Sequence, residues 1–324
     1  MNKAPAGWRR RILRSVYRTL KIAIVTLAVV QVFNICMHFR AKAEGRKIAD
    51  TEYGRAFESQ DYRGQGDTGV LLFHGLHGTP RNFKAITDAL AERRIHYYAP
   101  MLGGERPSPS AGLGFTAAGF ATHADQAYAL LKRRCKRIII VGHSFGAIQA
   151  TDVASRHRVE ALILTSPAYR ITQRWYLQPS MEAWVRTLAP VMPILPKFSP
   201  ARMNDPSGLD NYAGFTTFPL PSVSTLIDYS GQVLPRADRV KAPVLCLVSR
   251  GDEVIDLTSA AAGVKSLGSE TKRVVWYTRS NHLVLLDYDR TDANRKVLDF
   301  ITAHLHNTTR PAETGLGSDA ESSR

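Results

Sequence analysis

Cysteine is scarce in this chain: 324 residues carry three, at Cys36, Cys135 and Cys246. An odd, scattered set excludes a disulfide framework, and no metal-ligand spacing surrounds it. The three read as small apolar fillers. No fixed-period repeat is present, which excludes solenoids and propellers. The formal net charge is +15, yet no zinc-finger or RNA-binding signature accompanies it, so nucleic acid is not an expected partner. Acidic residues are absent from positions 1–21, where Lys3, Arg9, Arg10, Arg11, Arg14, Arg18 and Lys21 contribute +7. Nearly half of the excess charge therefore sits on a short leader, which points to a membrane surface.

An apolar stretch follows, IAIVTLAVVQVFNICMHF at 22–39. Its length just suffices to cross a hydrocarbon core as a helix. Basic residues ahead of a span stay on the cytoplasmic side, so a single-pass anchor would carry the rest of the chain outside the cytoplasm. Two other readings stay open. Ala41-Lys42-Ala43 loosely fits a signal-peptide cleavage site, and residues 8–39 also fit a basic helix lying in the membrane plane. The expected organisation is a basic leader at 1–21, an anchor at 22–39, a linker and the start of the body at 40–66, and one large domain at 67–305. A small, polar tail at 306–324 reads as disordered.

Within the body, short apolar runs alternate with helical patterns. Strands are expected at 70–74, 95–102, 137–142, 159–167, 242–250 and 272–278. Helices are expected after Pro80 and at 116–134, 145–157, 257–267 and 290–305. Such alternation implies an α/β fold with a mainly parallel sheet covered on both faces. Residues 168–237 break the rhythm with proline and aromatic residues and no strong strand. They read as a lid inserted between two late strands. Its Trp175, Tyr176, Leu177, Met181, Trp184, Val185, Leu188 and the run VMPILP at 191–196 would shape an apolar pocket, or simply pack the insertion onto the body.

The most informative motif is G-H-S-F-G at 142–146. It follows a buried strand and precedes a helix, and that tight turn projects a serine Oγ out of the backbone. Ser144 is the candidate nucleophile. A serine hydroxyl needs a base within hydrogen-bond reach and a group that orients the base. His282 is the only histidine in the loop after the strand 272–278. Asp252 is the first carboxylate after the strand 242–250, with Glu253 and Asp256 as rivals. Backbone N–H groups of Phe145 and of Leu76, in H-G-L-H-G at 74–78, are the candidate oxyanion donors. His74 reads as a brace for that loop, and His77 as a residue facing the pocket.

Together LLFHGLHGTP (71–80), IIIVGHSFGA (138–147), LVSRGDEVID (247–256) and SNHLVLLD (280–287) resemble the bacterial carboxylesterase and monoacylglycerol lipase branch of the α/β-hydrolases, over about residues 70–310. The resemblance implies that fold and cleavage of acyl esters with no metal or organic cofactor. It places the triad roles on Ser144, Asp252 and His282, deciding for Asp252 over its rivals, with Leu76 and Phe145 as oxyanion donors. Two departures bear on acyl preference: G-G-E at 103–105 stands where a G-H-G element is usual, and Ala147 where a second glycine is frequent. Amide or thioester hydrolysis and acyl transfer use the same triad, and a membrane-tethered binding protein on the same scaffold is the non-enzymatic alternative.

Overall fold

The computed structural model describes residues 8–173, 176, 178–197 and 201–305. The leader residues 1–7, Trp175, Leu177 and the expected tail lie outside the described residues. A single helix, α1 (Trp8–Asp50), runs through the apolar stretch and the first eleven residues, 40–50, of the segment expected as a linker. It is the one described helix long and apolar enough to cross a membrane. Its last turns belong to the body: Ala41 and Ile48 are fully buried, and Ile48 packs with Phe57, Met101 and Phe215. Linker composition does not betray this, because only a few side chains on one face of α1 make the contact.

The body is a seven-stranded sheet in the order β1-β3-β2-β4-β5-β8-β9. Its strands are β1 (Gln60–Tyr62), β2 (Gln65–Phe73), β3 (Ile95–Ala99), β4 (Arg137–His143), β5 (Ala161–Thr165), β8 (Val244–Ser249) and β9 (Lys272–Tyr277). All six expected strands are present. β1 was not expected from the sequence; it is three residues long and pairs antiparallel with β3 at the sheet edge, while the other pairs are parallel. Side chains alternate across the pleat. In β4, Ile138 and Ile140 enter one core with α3 (Ala117–Lys132) and α4 (Phe145–Arg156), while Ile139 and Val141 enter the other with α2 (Lys84–Glu92) and α8 (Arg290–Ala303). Both faces are covered at the centre of the sheet, so β4, β5 and β8 are buried through almost their whole length rather than alternating. Each such side chain contributes about 1.5–3 kcal/mol through burial.

The insertion between β5 and β8 is built from α5 (Met181–Leu188), a small antiparallel pair β6 (Ile194–Pro196) and β7 (Thr217–Pro219), and α6 (Leu220–Val233). It forms a cap over the carboxyl ends of the strands. α7 (Leu257–Ser266) returns the chain to β9, and its N-cap is Asp256, whose carboxylate accepts the Ser259 N–H at 2.6 Å. The strand order reverses around β2 and β4, and the crevice at such a switch point is where α/β sheets bind ligands.

Candidate active site

Four strand ends supply the site. The turn from β4 into α4 holds Ser144 at φ 55°, ψ −116°. This left-handed φ costs a non-glycine residue free energy and is found where function holds it. The turn is kept by the Ser144 N–H, which donates to the Thr165 carbonyl at 2.9 Å. Its tightness explains the flanking glycines. A Cβ on Gly146 would lie 2.0 Å from the Phe73 carbonyl oxygen, and one on Gly142 would lie 2.4 Å from that of Gly146. Any side chain there would push α4 off the sheet.

The structure brings Ser144, His282 and Asp252 into one chain of hydrogen bonds. Ser144 Oγ lies 2.8 Å from His282 Nε2, and His282 Nδ1 lies 2.8 Å from Asp252 Oδ2. All three are more than nine-tenths buried. Burial alone would raise the Asp252 pKa, but the adjoining His282 and the N–H groups of Val254 and Ile255 outweigh it and hold the carboxyl below its ordinary value. Those two N–H groups donate to Asp252 Oδ1 at 2.9 and 3.2 Å. An ionised carboxylate only accepts, so the His282 proton sits on Nδ1 and Nε2 is left to accept from Ser144. The rival carboxylates are engaged elsewhere: Glu253 pairs with Arg202 at 3.3 Å, and Asp256 caps α7.

The loop at 74–78 lies against the serine. A Cβ on Gly75 would be 3.3 Å from Ser144 Cβ, which puts the neighbouring Leu76 amide beside the reacting centre. Phe145 is the first residue of α4, where an N–H has no carbonyl one turn back in the helix. His74 braces the loop: its Nδ1–H donates to the Gly75 carbonyl at 2.8 Å, and its Nε2 accepts the Leu102 N–H at 3.1 Å. Burial lowers its pKa to about 4, so it stays neutral in that role. His77 lines the cavity and its Nε2 lies 2.8 Å from Ser222 Oγ of α6, which ties the loop to the cap. His143 is a neutral wall: burial, with the adjacent His282, lowers its pKa to about 3.

A cavity of about 390 Å³ opens over Ser144 and His282. Its apolar wall includes Ile171, Leu195, Phe218, Val223, Leu226 and Leu283. The aromatic first half of the cap contributes less than its composition promised. Tyr176 is 65% exposed and Trp184 36% exposed, and of the expected pocket residues within the described part only Leu195 and Pro196 line the cavity. Proline-rich and aromatic composition marks an insertion but does not say which side of it faces inward.

Asp287 is a residue whose role the sequence did not disclose, although it closes the SNHLVLLD segment. It is fully buried and accepts four backbone N–H groups at 2.7–2.8 Å, from Asn204, Asp205, Asn281 and Tyr288. One carboxylate thereby joins the His282 loop to the cap. A lone aspartate in an apolar run, LVLLD, was the available signal. Among the described residues no group of three or more His, Cys, Asp or Glu is placed to hold a metal ion. Cys135 and Cys246 are buried among apolar side chains, and burial raises the Cys246 thiol to about 12.

A serine on a strand–helix elbow, a histidine and an aspartate after later parallel strands, and a cap inserted before the aspartate strand define the α/β-hydrolase class. Residues 64–289 match the family described as serine aminopeptidase, S33, and the chain belongs to that family. A thermostable monoacylglycerol lipase from Bacillus sp. (strain H-257) is 25% identical over 245 residues, covering 75% of this chain and 94% of that protein. A carboxylesterase from Bacillus subtilis (strain 168) is 20% identical, covering 73% of this chain and 93% of that one. Among solved structures, one of the metagenome-derived lipolytic enzymes LipS and LipT superposes with a TM-score of 0.69 at 22% identity, covering 77% of this chain and 98% of its own. The monoacylglycerol lipase of Paleococcus ferrophilus superposes with a TM-score of 0.65 at 18% identity, covering 76% and 98%.

Proposed function

We propose that this chain is a membrane-anchored serine hydrolase that cleaves carboxylic esters of acyl chains through an acyl-enzyme on Ser144. The observation that carries the reading is the unbroken hydrogen-bond chain Ser144–His282–Asp252 beneath a mostly apolar cavity. His282 Nε2 takes the Ser144 proton as Oγ attacks the ester carbonyl, and Asp252 stabilises the imidazolium that forms. The N–H groups of Phe145 and Leu76 receive the oxyanion. The imidazolium returns its proton to the leaving alkoxide. Water, deprotonated by His282, then attacks the acyl-enzyme and releases the acid. None of these steps uses a metal or an organic cofactor. The lipase and carboxylesterase relatives support an ester substrate, such as a monoacylglycerol or lysolipid.

An aminopeptidase reading, which the family's name offers, meets an electrostatic objection. A free N-terminal amine needs a carboxylate to receive it, and the charged side chains among the described residues of the wall are Lys197 and Arg202. Thioester hydrolysis or transfer to an acceptor other than water uses the same groups and remains the second reading; assays with mixed acyl acceptors separate it from hydrolysis.

The anchor in this reading is residues 22–39, with the leader cytoplasmic, the domain at 67–305 on the opposite side and the cap over about 168–237. Support comes from α1 being continuous with the body. Asn34 Nδ2 donates to the Val191 carbonyl at 2.8 Å, and Glu44 accepts the N–H groups of Thr216 and Thr217. Cleavage after Ala43 would remove Asn34 from its bond to Val191 and would remove the fully buried Ala41.

The test is hydrolysis of a p-nitrophenyl ester series by detergent-solubilised full-length protein beside Ser144→Ala. Turnover is expected to fall at least about 10³-fold in the variant, and a fluorophosphonate to label the parent only. Full ester turnover by Ser144→Ala would overturn the assignment.

A further inference from the structure

The cavity wall contains a cation that the hydrolytic steps do not use. Lys197 lies at the end of β6 with its side chain directed along the oxyanion loop. Its Nζ donates to the His77 carbonyl and to the Tyr212 hydroxyl, both at 3.3 Å. Neither is a charged partner, and among the described residues no carboxylate lies within ion-pair distance of it. The carboxylate with the largest electrostatic effect on it is Glu44 of α1, which is already committed to the N–H groups of Thr216 and Thr217 and the Thr217 hydroxyl. The second charged residue of the wall, Arg202, is basic too, and Glu253 answers its charge outside. Of the two, Lys197 faces the cavity with no carboxylate in contact with it.

Its position relative to the chemistry follows from its contacts. Nζ is one hydrogen bond from the carbonyl of His77, and His77 is two residues from Gly75, which touches the serine turn. A chain spans at most about 3.5 Å per residue, and this segment is folded into a turn by the Gly78 N–H to Gly75 carbonyl bond, so the ammonium stands within about 10 Å of the reacting centre. An anionic group about two to five bonds beyond an ester oxygen falls within that reach.

We propose that Lys197 is a specificity residue that selects acyl esters bearing an anionic group, a carboxylate or a phosphate, close to the scissile bond. This rests on the serine-esterase reading above and names its substrate class. The bound anion would take the ion-pair position that no protein carboxylate fills, with the Tyr212 hydroxyl beside it. A long apolar acyl chain would occupy the wall of Leu195, Phe218, Val223 and Leu226.

The test compares matched substrates on detergent-solubilised full-length protein: 1-oleoylglycerol 3-phosphate against 1-oleoylglycerol, and O-oleoyl lactate against its methyl ester. The parent is expected to favour the anionic member of at least one pair by tenfold or more in kcat/KM, and which pair responds tells phosphate from carboxylate. The preference should fall at least tenfold in Lys197→Met and largely survive in Lys197→Arg. Neutral esters cleaved with no anionic preference, or a preference untouched by Lys197→Met, would overturn this inference and leave the esterase reading standing. No ester cleaved at all, with Ser144 unlabelled by a fluorophosphonate, would overturn both.

Discussion

Removing the Lys197 charge should make the protein more stable, even as it alters the site. Burial holds this ammonium's pKa at about 8, against 10.5 for an exposed lysine. Each pKa unit corresponds to about 1.4 kcal/mol, so the charged form costs the folded state up to roughly 3 kcal/mol, and less to the extent that cavity solvent screens it. Below pH 8 lysine is protonated whether the chain is folded or not, and the full cost is present. Between pH 8 and 10.5 the unfolded chain binds more proton than the folded one, so stability rises with pH through that window. Lys197→Met keeps the length of the side chain and removes the charge. At about 2–4 °C per kcal/mol for a domain of this size, its Tm at pH 7 should lie several degrees above the parent's. The assay is thermal unfolding of both proteins in one detergent from pH 6 to pH 10.5, with the gap widest below pH 8 and closing above it. A variant less stable than the parent at pH 7, or a gap independent of pH, would refute the argument that the cavity holds an uncompensated charge.

Asp252→Asn tests the tautomer argument. Asn Oδ1 would keep the Val254 and Ile255 N–H bonds and turn its NH₂ toward His282 Nδ1. The imidazole proton would then move to Nε2, where it blocks acceptance from Ser144. A fall in kcat of about 10³–10⁴ with little change in Tm is expected on a p-nitrophenyl ester, and a loss under tenfold would contradict it. Asp287→Ala leaves four backbone N–H groups without their acceptor, at about 1–3 kcal/mol for each that water does not reach. Chemical denaturation should show a loss of at least about 3 kcal/mol, accompanied by slower fluorophosphonate labelling of Ser144; unchanged stability would mean that the carboxylate does not hold the cap to the His282 loop.

Most of the sheet was legible because its strands are buried on both faces, so runs such as RIIIV at 137–141 stand out from their surroundings. β1 escaped because it is short, at the edge, and part of a segment with no periodic pattern. The hydrogen-bonded grouping of Ser144, Asp252 and His282 was legible from chain order, since each follows a readable strand. The choice over Glu253 and Asp256 rested there on the family resemblance, and its structural reason was not legible, because it lies in an ion pair to Arg202 and a helix cap. Lys197 and Asp287 were hidden for a similar reason. Each acts across more than 80 residues of sequence on at least one partner, Lys197 on His77 and Asp287 on Asn204, and no local pattern encodes such a contact. The cap was recognised by its proline and aromatic residues and its lack of a strong strand, and that composition did not reveal its inner face.

The continuity of α1 has a mechanical meaning. With residues 22–39 crossing the bilayer as proposed, the span is about 27 Å long at 1.5 Å per residue. Asn34, bonded to Val191, lies five residues before its end, so the cap corner around Val191 would sit some 8 Å below the nominal edge of the span. A domain on a flexible tether swings freely and meets its substrate at every angle. On the proposed anchoring this one would be mounted on a stiff mast with its shoulder pressed into the bilayer surface, and its large freedoms would be rotation about the membrane normal and drift in the plane. The search for a lipid ester would then be two-dimensional, and the helix rather than chance encounter would set the angle at which a chain must leave the bilayer.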